Sequence, residues 1–250
     1  MAYCRADRRE SKTMAASSFD FESIWSREIV PIEPPNRRGL GTSSVGVVGA
    51  GAWPELGVRG RLYVKRQQAF FCRPAWNAFR RTPTLRREMR FIERTRSLGI
   101  SVPTVVHYEE GSADRALLIL EEVTGVADLQ RATEGALPRD RREIFENVGE
   151  MLAKLHSARI LHGAVYPKHL LVETAAPHRI WLIDFEKARR APSRSRAAER
   201  DLERLLRRAP FMTDADVDVL LSAYEGRLFP LLQRRLEGAR QRIRDVQSNR

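Results

Sequence analysis

Leu161-His162-Gly163-Ala164-Val165-Tyr166-Pro167-Lys168-His169-Leu170-Leu171-Val172-Glu173, followed by Leu182-Ile183-Asp184-Phe185-Glu186, is the stretch that decides the fold. It begins just after a long amphipathic segment. Across residues 139–158, Ile144, Val148, Met151, Leu152 and Leu155 recur at steps of three and four, which puts them on one face of a helix. Leu170 to Glu173 and Ile180 to Ile183 are short, apolar and bounded by polar residues, so they read as two strands. A polar loop therefore leads from a helix into a small hairpin, and a carboxylate, Asp184, stands at the end of the second strand.

The chain upstream has a different texture. Between residues 31 and 60, Pro31, Pro34, Pro35, Gly39, Gly41, Gly46 and Gly49 break up short apolar pieces, a pattern of strands and turns. Arg61 to Arg66 reads as a strand carrying Lys65. A helix follows from about Thr84, with Leu85, Met89 and Ile92 on one face, Glu88 within it, and Gly99 and Pro103 to stop it. Val105 to Tyr108 and Ala116 to Val123 read as buried strands. Beyond the hairpin the pattern is helical over Arg196 to Arg208, Thr213 to Gly226 and Arg227 to about Val246, with Thr213 and Asp216 forming a capping box. The fold class is α+β and bilobal. A β-rich N-lobe with one main helix (19–124) joins a mainly helical C-lobe (125–250) near Glu122 to Asp128. Residues 1–18 mix charge with Ser and Ala and read as a disordered tail.

Composition excludes several classes. The 250 residues suffice for a real core, and 42% are hydrophobic. No apolar run approaches the roughly 18 residues of a membrane-spanning helix. Met1 to Met14 is charged, with no apolar stretch of the secretory kind. Cys4 and Cys72 lack metal-ligand spacing and read as free thiols in a reducing compartment. The net charge of +12 favours anionic partners: phosphorylated ligands, anionic membrane surfaces or nucleic acid. His107, His156, His162 and His178 are scattered and form no zinc set.

A strand Lys, a helix Glu, a His-led loop and a post-strand Asp, in that order, are the ordered set of the protein-kinase fold. The stretches LHGAVYPKHLLVE and LIDFEKARR carry a closer resemblance, together with PNRRG, LYVKRQ and the segment from Cys72 to Tyr108. Over roughly residues 36–206 the chain resembles the lipopolysaccharide-core kinase family, most of all its InaA-type members. The resemblance implies ATP-dependent phosphorylation of a core sugar, heptose or Kdo, on a lipopolysaccharide core or lipid A-core acceptor at the cytoplasmic face of the inner membrane. It implies that Lys65 contacts the nucleotide phosphates while Glu88 holds its ammonium, and that Asp184 binds Mg²⁺. The Gly39–Ser44 segment, with Gly41 and Ser43, would cover the phosphates. Glu121 and Val123 would offer main-chain groups to adenine. Asp201 falls where kinase-like folds brace the catalytic loop, and His162 would help to do so.

Two positions depart from the family pattern. Where a kinase loop normally carries its catalytic Asp there is Ala164, which can neither take a proton nor orient a hydroxyl. Where it normally carries Asn there is His169, as in the lipopolysaccharide kinases. Imidazole suits softer metals than Mg²⁺, so His169 acts through water, favours Mn²⁺ or binds no metal. Lys168 is either a cation beside the transferring phosphate or a surface lysine. The alternative to a sugar kinase, slow for want of the Asp, is a pseudokinase that binds nucleotide or a partner without turnover. From Lys65 to Arg87 there is no acidic residue, and Phe70, Phe71, Trp76 and Phe79 interleave with arginines. That segment is read as an ordinary lobe surface or as a peripheral contact with the inner membrane. No nucleic acid is expected.

Overall fold

The structure is a computed structural model that describes residues 20–72, 81–224 and 241. A short helix α1 (Phe21–Ser26) opens it, capped by the Asp20 carboxylate on the N–H groups of Glu22 and Ser23. There follow β1 (Val30–Pro31), β2 (Asn36–Arg38), β3 (Gly41–Val48), β4 (Leu62–Gln68), β5 (Phe71–Cys72), β6 (Thr82–Pro83), α2 (Thr84–Arg96), β7 (Val105–Gly111) and β8 (Arg115–Glu121). One antiparallel sheet runs β1-β3-β4-β8-β7, with β2 also paired to β3. Strand alternation sorts its two faces. Leu62 and Val64 pack with Leu117, Ile119, Phe21 and Trp53 on one side. Lys65, paired with Val45 and Leu118, is therefore turned to the other side, where Leu118 and Leu120 pack with Leu85 and Ile92 of α2.

The second half contains β9 (Val126–Asp128), α3 (Leu129–Thr133), α4 (Pro138–Ser157), β10 (Ile160–Leu161), β11 (Leu170–Glu173), β12 (Ile180–Leu182), β13 (Arg189–Arg190), α5 (Arg194–Arg208) and α6 (Asp214–Ala223). The apolar stripe of α4 buries Ile144, Phe145, Val148, Leu152 and Leu155. At Gly149 the two helices α4 and α6 come so close that a Cβ would collide with the Leu220 carbonyl. The capping box forms as the spacing implied: Thr213 accepts from the Asp216 N–H, and Asp216 accepts from the Thr213 N–H. β11 pairs with both β9 and β12, and β10 with β13. One apolar core is continuous from α2 and β8 through α4 to α5 and α6.

The β-rich first part and helical second part match the expected architecture. The strand expected over 116–123 ends at Glu121, so Val123 lies in the link beyond it. The tail 1–18, Trp76 and Phe79, and the helix expected over 227–246 lie outside the described residues, Gln241 apart. Several members of the Arg-rich segment turn inward. Phe70 is buried, Arg66 donates to the Ile24 and Arg27 carbonyls, and Arg86 pairs with Glu110. No described helix is long and apolar enough to cross a membrane.

Candidate active site

Sheet alternation and the α2 stripe together bring Lys65 Nζ within 2.5 Å of Glu88 Oε1. Glu88 is buried on the α2 face that also carries Leu85 and Ile92. Burial works against the Lys65 charge, but Glu88, Asp184 and Glu186 outweigh it and hold the ammonium above its usual range. For Glu88, burial and Asp184 push the carboxyl up while Lys65 opposes them. Such a pair is worth little for stability, because both charges must be desolvated. Its use is positional: it fixes an ammonium at one point in the cleft.

Asp184 follows β12 in a left-handed conformation, φ 64° and ψ 69°. For a residue with a Cβ this costs about 1–2 kcal/mol. The turn drops Phe185 into the core, edge-on to His162 with ring centroids 4.8 Å apart, and leaves the Asp184 carboxylate in the cleft. Burial would raise that carboxyl, but Lys65, His169 and His162 hold it below the ordinary range.

His169 comes from a 3-10 turn, Pro167–His169, just before β11. Its Nδ1 lies 2.8 Å from the Ala164 carbonyl, and its Nε2 lies 3.3 Å from Asp184 Oδ2. A carbonyl only accepts, so Nδ1 carries the proton. Burial keeps the imidazole pKa low against the pull of Asp184 and that carbonyl. The neutral ring then turns its Nε2 lone pair towards a carboxylate oxygen. Two acceptors aimed at one place, one of them anionic, fit a cation between them, and an Nδ1–H held by a carbonyl is how metal-ligating histidines are oriented. Asp184 and His169 are thus the residues suited to hold a divalent ion.

The loop between β10 and β11 is set by Asp201 of α5. Its carboxylate accepts from the His162 N–H (2.7 Å) and the Gly163 N–H (2.9 Å) and lies 3.3 Å from His156 Nε2. These bonds outweigh burial and keep the carboxyl ionised. His156 Nδ1 in turn meets the Tyr224 hydroxyl at 2.9 Å. His162 lies beneath the loop, its Nδ1 3.3 Å from the Ala164 N–H, and burial brings its pKa down to about 4. The part played by His156 and Tyr224 escaped sequence reasoning. A His in the last turn of a helix and a Tyr far downstream share no spacing signal. Ala164 is itself buried, its methyl group in the space where a carboxylate was expected.

A cavity of about 290 Å³ unites the rest. Lys65, Glu88, Lys168, His169, Asp184 and Glu186 line one part; Ser43, Tyr63, Leu120, Glu121 and Val123 line another. Gly41 and His162 are not in its wall. Gly41 pairs with Arg38, and its missing side chain makes room for the Ala69 carbonyl.

The sequence profile of the lipopolysaccharide kinase (Kdo/WaaP) family matches residues 22–224. Protein InaA of Escherichia coli (strain K12) is 30% identical over 200 residues, 77% of this chain and 89% of that protein. The 3-deoxy-D-manno-octulosonic acid kinase of Stenotrophomonas maltophilia (strain K279a) is 29% identical over 213 residues, 80% of this chain and 82% of the relative. That of Xylella fastidiosa (strain 9a5c) is 30% identical over 124 residues, 48% and 47% of the two chains. Among solved structures, WaaP in complex with acyl carrier protein superposes with a TM-score of 0.68 over 90% of this chain and 92% of that one, at 20% identity, which is a likeness of fold. The fold is kinase-like, and with the profile spanning nearly all the described residues the chain belongs to the lipopolysaccharide kinase (Kdo/WaaP) family.

Proposed function

We propose that this chain transfers a phosphoryl group from ATP to a sugar hydroxyl of the lipopolysaccharide core, a heptose or Kdo. Membership of a kinase family implies ATP and a divalent cation. The observation that carries the finer reading is the meeting of the Lys65–Glu88 pair, Asp184 and His169 in one cavity that also reaches Glu121 and Val123. In this reading Lys65 neutralises the nucleotide phosphates and Glu88 aims its ammonium. Asp184 and His169 hold the cation, Mg²⁺ or Mn²⁺, which when bound neutralises phosphate charge. The main chain near Glu121 and Val123 meets adenine. The β2–β3 hairpin, with Gly41 and Ser43, roofs the phosphates. Lys168 stands beside the group being transferred, and His162 supports the loop. The acceptor is presented at the cytoplasmic face of the inner membrane, where the chain binds peripherally.

The test begins with melting temperature with and without ATP, in Mg²⁺ and then Mn²⁺. A ligand at about 100 times its Kd adds roughly 2.7 kcal/mol of stability. The expected result is a cation-dependent rise that Lys65→Ala and Asp184→Ala abolish, followed by transfer of labelled phosphate to purified core acceptors. No rise with either cation would overturn the reading.

The buried methyl at Ala164 favours a second reading, a module that binds nucleotide without turnover. Ala164→Asp separates the two. A general base contributes about 10²–10⁴ in rate. A slow kinase gains on that order, whereas a non-catalytic module stays silent.

A further inference from the structure

Helix α5 carries arginine at every fourth position, Arg196, Arg200, Arg204 and Arg208, which places them in a slowly turning stripe. The ends of the stripe are occupied: Arg196 Nη1 pairs with Glu199 at 3.0 Å, and Arg208 lies over the Tyr166 ring at 5.9 Å. The middle is not. Arg204 Nη1 is 3.9 Å from Asp201, whose oxygens already accept from the loop and from His156. That nitrogen is buried and has no hydrogen-bond partner among the described residues.

Two more guanidinium groups lie near enough to act on one another by charge, and one of them, Arg189, donates from Nη1 to the Lys187 carbonyl at 3.4 Å. Arg189 of β13 reaches Gly163, its Nη1 lying 3.4 Å from where a Cβ on that glycine would be. Arg87 of α2 donates through Nη2 to the Glu186 carbonyl, while its Nε is buried without a partner among the described residues. Burial lowers the Arg189 pKa, and the charges of Arg204, Arg87 and Arg200 add to that, with Asp201 opposing. Charges that served only solubility would spread apart. Here they are gathered, with buried donors unfilled, which is the condition of a site lacking its counter-anion.

We infer that Arg87, Arg189 and Arg204 form an oxyanion site for a phosphate monoester group, distinct from the nucleotide cavity, which none of the three lines. Guanidinium forks suit a tetrahedral phosphate because each presents two parallel N–H groups. The place gives the site a consequence. Arg87 is the neighbour of Glu88 on α2, and Arg189 abuts Gly163 of the loop. A phosphate gripped by both ties α2 to the loop and so steadies the Lys65–Glu88 pair. The inference does not depend on the proposed kinase activity.

The experiment is a titration followed by melting temperature and calorimetry, with inorganic phosphate in one arm and a hexose phosphate in the other, at constant ionic strength because exposed charges are screened. Saturable binding is expected, about tenfold weaker in Arg189→Gln and in Arg204→Gln. Arg139→Gln, on the far end of α4, should bind as the parent does. Binding should also survive in Lys65→Met/Glu88→Leu, which removes the buried pair as a whole and silences the nucleotide cavity. Tighter binding of the hexose phosphate would assign the site to a sugar-borne phosphate, and equal binding to the free ion. Absence of saturable binding in both arms, or binding unchanged by both Arg189→Gln and Arg204→Gln, would sink the inference.

Discussion

On the floor of the cavity Lys65 answers both Glu88 and Asp184, so one ammonium faces two carboxylates within the site. Across the cleft the loop His162–His169 is different. Its scaffolding is complete, with a buried carboxylate on its backbone N–H groups, yet a methyl group stands at Ala164. Buried polar networks are costly unless fully satisfied, and this one is satisfied at Asp201, His156 and Tyr224. Asp201 therefore positions something other than a side chain at residue 164. The Ala164 carbonyl is that something: it accepts from His169 Nδ1 and so aims the other imidazole nitrogen at Asp184. The loop supplies direction, and the floor supplies charge.

That division can be broken at either end. The largest effect should come from Asp201→Asn, which strips the charge from a buried, hydrogen-bonded carboxylate. A loss of about 3–5 kcal/mol in urea unfolding is expected, and a loss under about 1 kcal/mol would mean the loop stands without its brace. Asp184→Asn should leave stability nearly untouched and weaken cation-dependent ATP binding or transfer by about 10²–10³. An unaltered binding isotherm would remove Asp184 from the floor. Acid tests the loop through His162. His162 titrates near 6.5 when unfolded and about 4 when folded, so its contribution is complete above about pH 6.5 and is lost as pH falls towards 4. The loss amounts to about 3 kcal/mol. Urea midpoints between pH 7 and 4.5 should fall accordingly, and His162→Gln should flatten the dependence. The smallest effect belongs to Tyr224→Phe, about 1 kcal/mol for one hydrogen bond, with ATP binding preserved.

The floor was legible in the sequence because local pattern fixes it. Alternation turns Lys65 to one face of β4, and helical spacing puts Glu88 beside Leu85 and Ile92. The hairpin and Asp184 are announced by two short apolar strands. The brace was only half legible. Asp201 stands out on resemblance, but its partners come from α4 and from the end of α6, and contacts between distant segments leave no period to read. Gly41 has a second demand that no local pattern announces: its missing Cβ makes room for the Ala69 backbone. The arginines of 65–87 leave two readings open in the sequence, because Arg66 and Arg86 find carbonyl and carboxylate partners that composition cannot reveal.

The chain of contacts from Tyr224 through His156 to Asp201 also sets an order in time. A ribosome releases residues 162–169 well before Asp201 and Tyr224. A nascent chain stopped within α5 ahead of Asp201 would contain every residue of the cavity wall and still lack the part that shapes the loop. Premature termination there would yield a product with the site's full spelling and none of its grip.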